Sequence, residues 1–257
     1  MVNASQIKTI IGVMSGKGGV GKSTVSFLAA NALALKGFKV GVLDADITGP
    51  SIPRLFQMKR GEIQGQGDKL LPFLSKQGIA VISMNLLLED ENKPIVWRGP
   101  LLAKAIEQFW DDVAWGELDF LVVDMPPGTA DVALTIMQKI PLDGLLVVTT
   151  PQDMVSMIVN KSIQMAEMLN IPVLGVIENM SSIICPKCGE SFSFFPEPKD
   201  SGLLKKIVMR IPQTKEIAAI SDQGLVTTNK VIHEMLEELS EKIIKALASK
   251  KQERILK

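Results

Sequence analysis

The sequence has no tyrosine, one histidine and two cysteines. So few ligand side chains exclude a fold stapled by several disulfides, and they fall short of a four-ligand metal site within one chain. Long apolar runs are missing too, since none approaches the roughly 18 residues of a membrane helix. Met1–Gln6 is too short and polar to read as a secretory signal. The expectation is a cytoplasmic protein with no membrane partner. Excess charge is also absent, with 28 basic and 28 acidic residues balancing to +0. That balance argues against a chain that grips nucleic acid by bulk charge, and no nucleic-acid partner is expected. No repeat or low-complexity linker divides the chain, so residues 1–257 read as one domain. A hydrophobic content of 46% against 22% charged is that of a globular chain with a large core.

What is present begins with Gly16-Lys17-Gly18-Gly19-Val20-Gly21-Lys22-Ser23-Thr24, which matches the phosphate-binding P-loop pattern G-x-x-x-x-G-K-[ST]. Ile7–Met14 before it reads as a buried strand, and Ser23–Lys36 after it as a helix closed by Gly37. Glycines let such a loop fold its N–H groups around an anion at the positive end of the helix. ATP is the expected ligand, with Lys22 on the outer phosphates and the Ser23 hydroxyl on Mg²⁺. Lys17 exceeds what a P-loop needs. The form G-K-G-G-x-G-K-[ST] resembles the deviant Walker A loop of nitrogenase iron protein, MinD and ParA. That resemblance implies a homodimer in which Lys17 reaches the nucleotide of the opposite subunit, a catalytic charge supplied in trans.

Strand-like runs alternate with helical patterns to near residue 250, which predicts an α/β fold, doubly wound, with a mainly parallel sheet and helices on both faces. The second strand, Lys39–Asp44, ends in Asp44-Ala45-Asp46, at the sheet end where ligands bind. Asp46 is the candidate for the Mg²⁺ shell and for orienting the attacking water, and Asp44 for holding local backbone. Gly61–Gly78 reads as a glycine-punctuated hairpin or excursion. Pro100 opens a helix at Leu101–Asp112 carrying Phe109 and Trp110, with Arg98 just upstream. Asp119–Asp124 has the Walker B form, with Asp124 near Mg²⁺, and Pro127 and Gly128 follow in a loop suited to a γ-phosphate switch. Asp143–Thr150 and Pro172–Glu178 are further strands, the latter ending in Asn179, a candidate for the adenine edge. The segment from about 180 to 198 reads as an inserted loop. Strand Lys206–Ile211, a short helix from Thr214 and a terminal helix from about Thr227 complete the chain, and His233 on that last helix reads as structural.

Both cysteines lie in that inserted loop, as Cys185-Pro186-Lys187-Cys188. Two thiolates neither complete a zinc site nor hold an iron–sulfur cubane, each of which takes four ligands. Two subunits contributing one pair each would remove the deficit on a two-fold axis. Such a site could take a cluster or zinc. A redox disulfide fits less well, because the pair does not open a helix after the first strand of a βαβ unit.

GKGGVGKST, DADITGPSIP, PIVWRGP, DFLVVDMPPGTAD, TTPQD, GVIENM and CPKCG, in this order, resemble the Mrp/ApbC family of P-loop ATPases that carry iron–sulfur clusters. The likeness runs from about Ile10 to Gln223. It implies a homodimer bridged by a 4Fe–4S cluster on Cys185 and Cys188, transfer of that cluster to apo-proteins, and slow ATP hydrolysis. The chain departs from the family after the cysteines, where ESFSFFPEPKDSG replaces a glycine-rich stretch, and at Met209–Thr214, where the usual G-x-I-P-x-D is not met. Two other functions share the same core: a MinD- or ParA-like spatial organiser, to which the basic tail Ile243–Lys257 would be relevant, and a nucleotide-driven reductase component.

Overall fold

The computed structural model describes residues 6–46, 51–59, 64–66, 69–83, 110–128, 131–152, 157–185, 187–195, 201–224 and 229–255. Arg98, Phe109 and most of the helix expected at Leu101–Asp112 fall outside these ranges. So does the turn-rich segment at 47–50. Trp110, at the end of that expected helix, is described and buried.

The central strands are β1 (Ile10–Ser15), β2 (Val40–Asp44), β6 (Ala80–Ser83), β7 (Phe120–Asp124), β8 (Gly144–Thr149) and β9 (Val173–Ile184). With β11 (Ile207–Gln213) on the far side of β9, they pair in parallel in the order β11-β9-β8-β1-β7-β2-β6. β5 (Phe73–Leu74) and β10 (Ser191–Phe192) add antiparallel partners to β6 and β9. β3 (Gln64–Gln66) and β4 (Lys69–Leu71) form a separate antiparallel hairpin, as the glycine-rich segment predicts.

Period-two alternation explains why this sheet needs helices on both faces. Ile10, Met14, Leu121, Val123, Leu145 and Val147 belong to one apolar cluster, and Ile11, Val13, Val122, Leu146 and Val148 to the other. The first cluster is closed by α3 (Asp131–Lys139) and α4 (Met157–Met168) through Ile136, Met137, Val159 and Ile163. The second is closed by α1 (Lys22–Leu35) and α7 (Lys230–Ile255) through Phe27, Leu28, Leu33, Leu236 and Ile243. Each such fully buried side chain contributes about 1.5–3 kcal/mol. The doubly wound, mainly parallel α/β architecture is therefore present. Short helices α2 (Ser51–Leu55), α5 (Ser201–Leu204) and α6 (Lys215–Gln223) complete the described elements. Thr214 caps α6, accepting the backbone N–H of Ile217 at 3.2 Å.

Register decides what meets at the carboxyl ends of the strands. Val13 of β1 pairs with Asp124 of β7, and Asp124 pairs in turn with Asp44 of β2. The chain crosses to β2 on one side of β1 and to β8 on the other, so the crevice of the sheet opens above β1.

One element differs from expectation. The segment from about 180 onward is no open loop. β9 continues through Met180 to Ile184, and β10 returns antiparallel, with Phe192 opposite Ile183 and Ser191 opposite Ile184. Met180 itself has a left-handed backbone, φ +53°. Polar Asn179, Ser181 and Ser182 interrupt the apolar run that marks a buried strand, and here the extended chain is held by pairing to β10 and β11 instead.

Candidate functional site

The loop between β1 and α1 turns on glycines with positive φ, Gly19 at +83° and Gly21 at +80°. Gly21 is the residue from which α1 starts, and its carbonyl accepts the N–H of Val25 at 3.0 Å. A side chain there would also collide with the Asn179 amide, so close packing adds to the conformational demand. The loop lines a cavity of about 450 Å³ whose wall includes Lys17, Gly18, Lys22, Ser23, Thr24, Asp46, Arg54 and Pro127.

At the floor of this cavity, Lys22 is 6% exposed and Asp124 fully buried. The Lys22 ammonium donates to Asp124 Oδ1 at 2.9 Å and stands 3.2 Å from Asp46 Oδ2. Ser23 Oγ donates to Asp124 Oδ2 at 2.7 Å, and Ser26 Oγ to Asp124 Oδ1 at 2.7 Å. Burial works against the Lys22 charge, but Asp124 and Asp46 outweigh it and raise its pKa. Burial likewise pushes the Asp124 carboxyl up, against the hold of Lys22 and the two serines. Asp44 is driven up to about 8, chiefly by burial and then by the charge of Asp124, although the Ser83 hydroxyl at 2.6 Å and the Asp46 N–H at 3.1 Å both donate to it. Asp44 therefore fixes backbone at the end of β2, as expected of it.

P-loop, Asp46, Asp124 and Pro127 thus converge. Gly128 has φ +84° and donates its N–H to Ser15 O at 2.8 Å, which ties the segment after β7 to the start of the P-loop. Lys17 is exposed at the mouth. Asn179 also comes close to the P-loop, where its side-chain Nδ2 donates to Val20 O at 2.9 Å. Ser26 and Arg54 are not among the residues to which the sequence motifs point. Ser26 follows Ser23 by one helical turn and so shares its face, a spacing that could have revealed it. Arg54 carries no comparable signal, because it reaches the cavity only through the placement of α2.

The cysteines occupy the turn of the β9–β10 hairpin. Cys185 N donates to Glu190 O, and Gly189 N to Cys185 O, both at 2.9 Å. Backbone N–H groups of Cys188 and then Lys187 point at the Cys185 sulfur, and with the Cys188 thiol they lower its pKa. A turn that aims N–H donors at sulfur favours the thiolate, the form that ligates metal. Among the described residues, no group of three or more His, Cys, Asp or Glu could hold a metal ion within the chain. A second cavity of about 420 Å³ lies between this hairpin and the P-loop, lined by Lys17, Gly18, Gly19, Thr150, Gln152, Met180 and Phe194.

A parallel sheet with this glycine loop, a buried lysine and two carboxylate-bearing strand ends defines a P-loop nucleoside triphosphatase. The family model described as ParA, NUBPL iron-transfer P-loop NTPase, matches residues 6–248, and the chain belongs to that family. It is 53% identical over 200 residues to an iron–sulfur cluster carrier protein of Clostridium perfringens, covering 75% of this chain and 70% of the relative. A carrier protein of the same description from Methanocaldococcus jannaschii is 43% identical over 257 residues, covering 97% and 89%. Among solved structures, a nucleotide-binding protein from Archaeoglobus fulgidus in complex with ADP superposes with a TM-score of 0.79 at 42% identity, covering 91% of this chain and 94% of that one. The septum site-determining protein MinD of Pyrococcus horikoshii, at 19% identity and a TM-score of 0.65 over 95% of this chain and 98% of that one, shares the fold.

Proposed function

We propose that the protein is an ATP-binding, slowly hydrolysing iron–sulfur cluster carrier that assembles a cluster between two identical subunits and hands it to apo-proteins. The observation that carries this reading is the Cys185/Cys188 hairpin, with N–H donors aimed at its sulfur, beside a P-loop whose relatives are named as cluster carriers. Four sulfurs from two chains meet the coordination need that neither chain meets alone. Zinc can take the same four thiolates.

In this reading the N–H groups of Gly18–Thr24 bind the phosphates, and Lys22 exchanges a carboxylate partner for phosphate oxygen. Ser23, Asp46 and Asp124 offer hard oxygen donors at one point, which suits Mg²⁺, directly or through water. The ion would supply positive charge for the phosphate oxygens. Asp46 orients the attacking water, Lys17 of one protomer reaches the nucleotide of the other, and Pro127-Gly128 follow the γ-phosphate. Asn179 would meet adenine through Oδ1, which can accept from the exocyclic amino group while Nδ2 holds Val20 O. Hydrolysis is slow in this reading, because among the described residues no strong base lines the phosphate cavity.

Anaerobic reconstitution with iron and sulfide, followed by incubation with an apo iron–sulfur acceptor, tests the proposal. The parent protein should load a cluster and activate the acceptor, and C185S and C188S should do neither. Equal transfer by those variants would refute it. A MinD-like organiser would instead need ATP-dependent binding to liposomes or DNA with the cysteines dispensable.

A further inference from the structure

One strand, β9, runs from the P-loop to the cysteines. β9 passes the P-loop at Asn179 and ends at the turn that carries Cys185, about 20 Å further along extended chain. Asn179 is 5% exposed, and its Nδ2 both donates to Val20 O and packs where a Gly21 side chain would stand. Between these points the strand is braced on both sides. Ile211 and Gln213 of β11 pair with Asn179 and Ile183, Phe192 of β10 pairs with Ile183, and Ser191 Oγ donates to Ser182 Oγ at 3.1 Å. The β9–β11 register shifts between those two pairings, so the strand is anchored at Asn179 and Ile183 with an irregular stretch between them. Met180, at φ +53°, lies in that stretch, and it lines both cavities. Lys17, Gly18 and Gly19 are likewise walls of both, so the P-loop stands between the nucleotide cavity and the one against the β9–β10 hairpin.

Building on the carrier reading, we infer that Asn179 and Met180 are positioning residues that couple P-loop occupancy to the metal affinity of Cys185 and Cys188. The glycines flanking Val20 let its peptide reorient when phosphate takes up the loop N–H groups. The Val20 carbonyl is the acceptor for a buried amide, so Asn179 must follow it or leave that amide donor unpaired. Following it shifts the β9–β10 hairpin and the angle at which the thiols are presented. Linkage makes the effect reciprocal: metal on the cysteines changes nucleotide affinity by the same factor.

The experiment measures the affinity of a fluorescent, non-hydrolysable ATP analogue on the full-length protein, metal-free and after stoichiometric zinc loading with excess zinc removed. In the parent protein the two affinities should differ by about fivefold or more. In N179A, and in the S181G/S182G double variant that keeps Asn179 and both thiols, the ratio should fall to within about twofold of unity. N179D, with carboxylate oxygens and no amide donor, should behave as N179A. Because the result is a ratio, a direct loss of nucleotide affinity in any variant cancels. Zinc bound by the parent with no change in nucleotide affinity overturns the inference and leaves the carrier reading standing. Coupling that persists undiminished in N179A and in the double variant also overturns it. Failure of the cysteine pair to take zinc or a reconstituted cluster at all removes the carrier reading and this inference together.

Discussion

Lys22 stands between two carboxylates where solvent cannot screen it, so its loss should be felt even without nucleotide. Lys22→Met leaves Asp124 buried with only the two serine hydroxyls. Breaking one side of a buried pair costs about 3–5 kcal/mol. Urea denaturation of K22M should show a loss near the lower end of that range, and K22M/D124N should recover much of it. Recovery of nothing would mean that the pair contributes little. Asp44 gives a pH signature of definite sign. Its folded pKa, about 8, lies above the ordinary carboxyl value of 3.8. The unfolded chain therefore releases the Asp44 proton first as pH rises. Stability from this group is full below the unfolded value and declines through the window up to the folded one. Comparing denaturation at pH 5 and pH 8, Asp44→Asn should flatten the decline seen in the parent. An unchanged slope would place the titration elsewhere.

Helix α1 and strand β9 meet at Gly21, and that contact explains why one glycine cannot be replaced. Gly21→Ala puts a side chain at φ +80° and into the Asn179 amide. The left-handed conformation alone costs about 1–2 kcal/mol. Thermal unfolding should register at least that, together with a loss of nucleotide affinity from a displaced loop. At the start of α6, Thr214→Ala should cost about 1 kcal/mol by removing the cap and leave nucleotide binding in place. Local signals foretold these elements well. Gly37 closes α1, the apolar strands end within a residue or two of expectation, and Asp124 closes β7. Those features are written in neighbouring residues. The extension of β9 is not, because Met180–Ile184 is held in the sheet by β10 and β11 rather than by an apolar pattern of its own. For the same reason the sequence pointed to Ser23 and Asp124 separately but not to Ser26 as a third party to their bond. Nor could it bring Arg54 to the cavity, since that depends on how α2 packs against α1.

The proposed function needs two chains, because it draws four sulfurs from one cysteine pair per copy. One copy presents two thiols on a hairpin turn, one half-buried and one exposed, and no further ligand is at hand among the described residues. Phe192 and Phe194, in edge-to-face contact at 5.4 Å, are exposed on the same hairpin, at 41% and 72%. They belong to the stretch where this chain departs from the glycine-rich pattern of the family it resembles. Among the described residues no helix is long and apolar enough to cross a membrane. The most direct measurement is light scattering with iron and sulfide analysis on protein reconstituted anaerobically. The account predicts a two-chain species holding one four-iron cluster, which falls to cluster-free protein in the C185S/C188S double variant. A cluster held in full by a single chain, or one retained by that double variant, would contradict it.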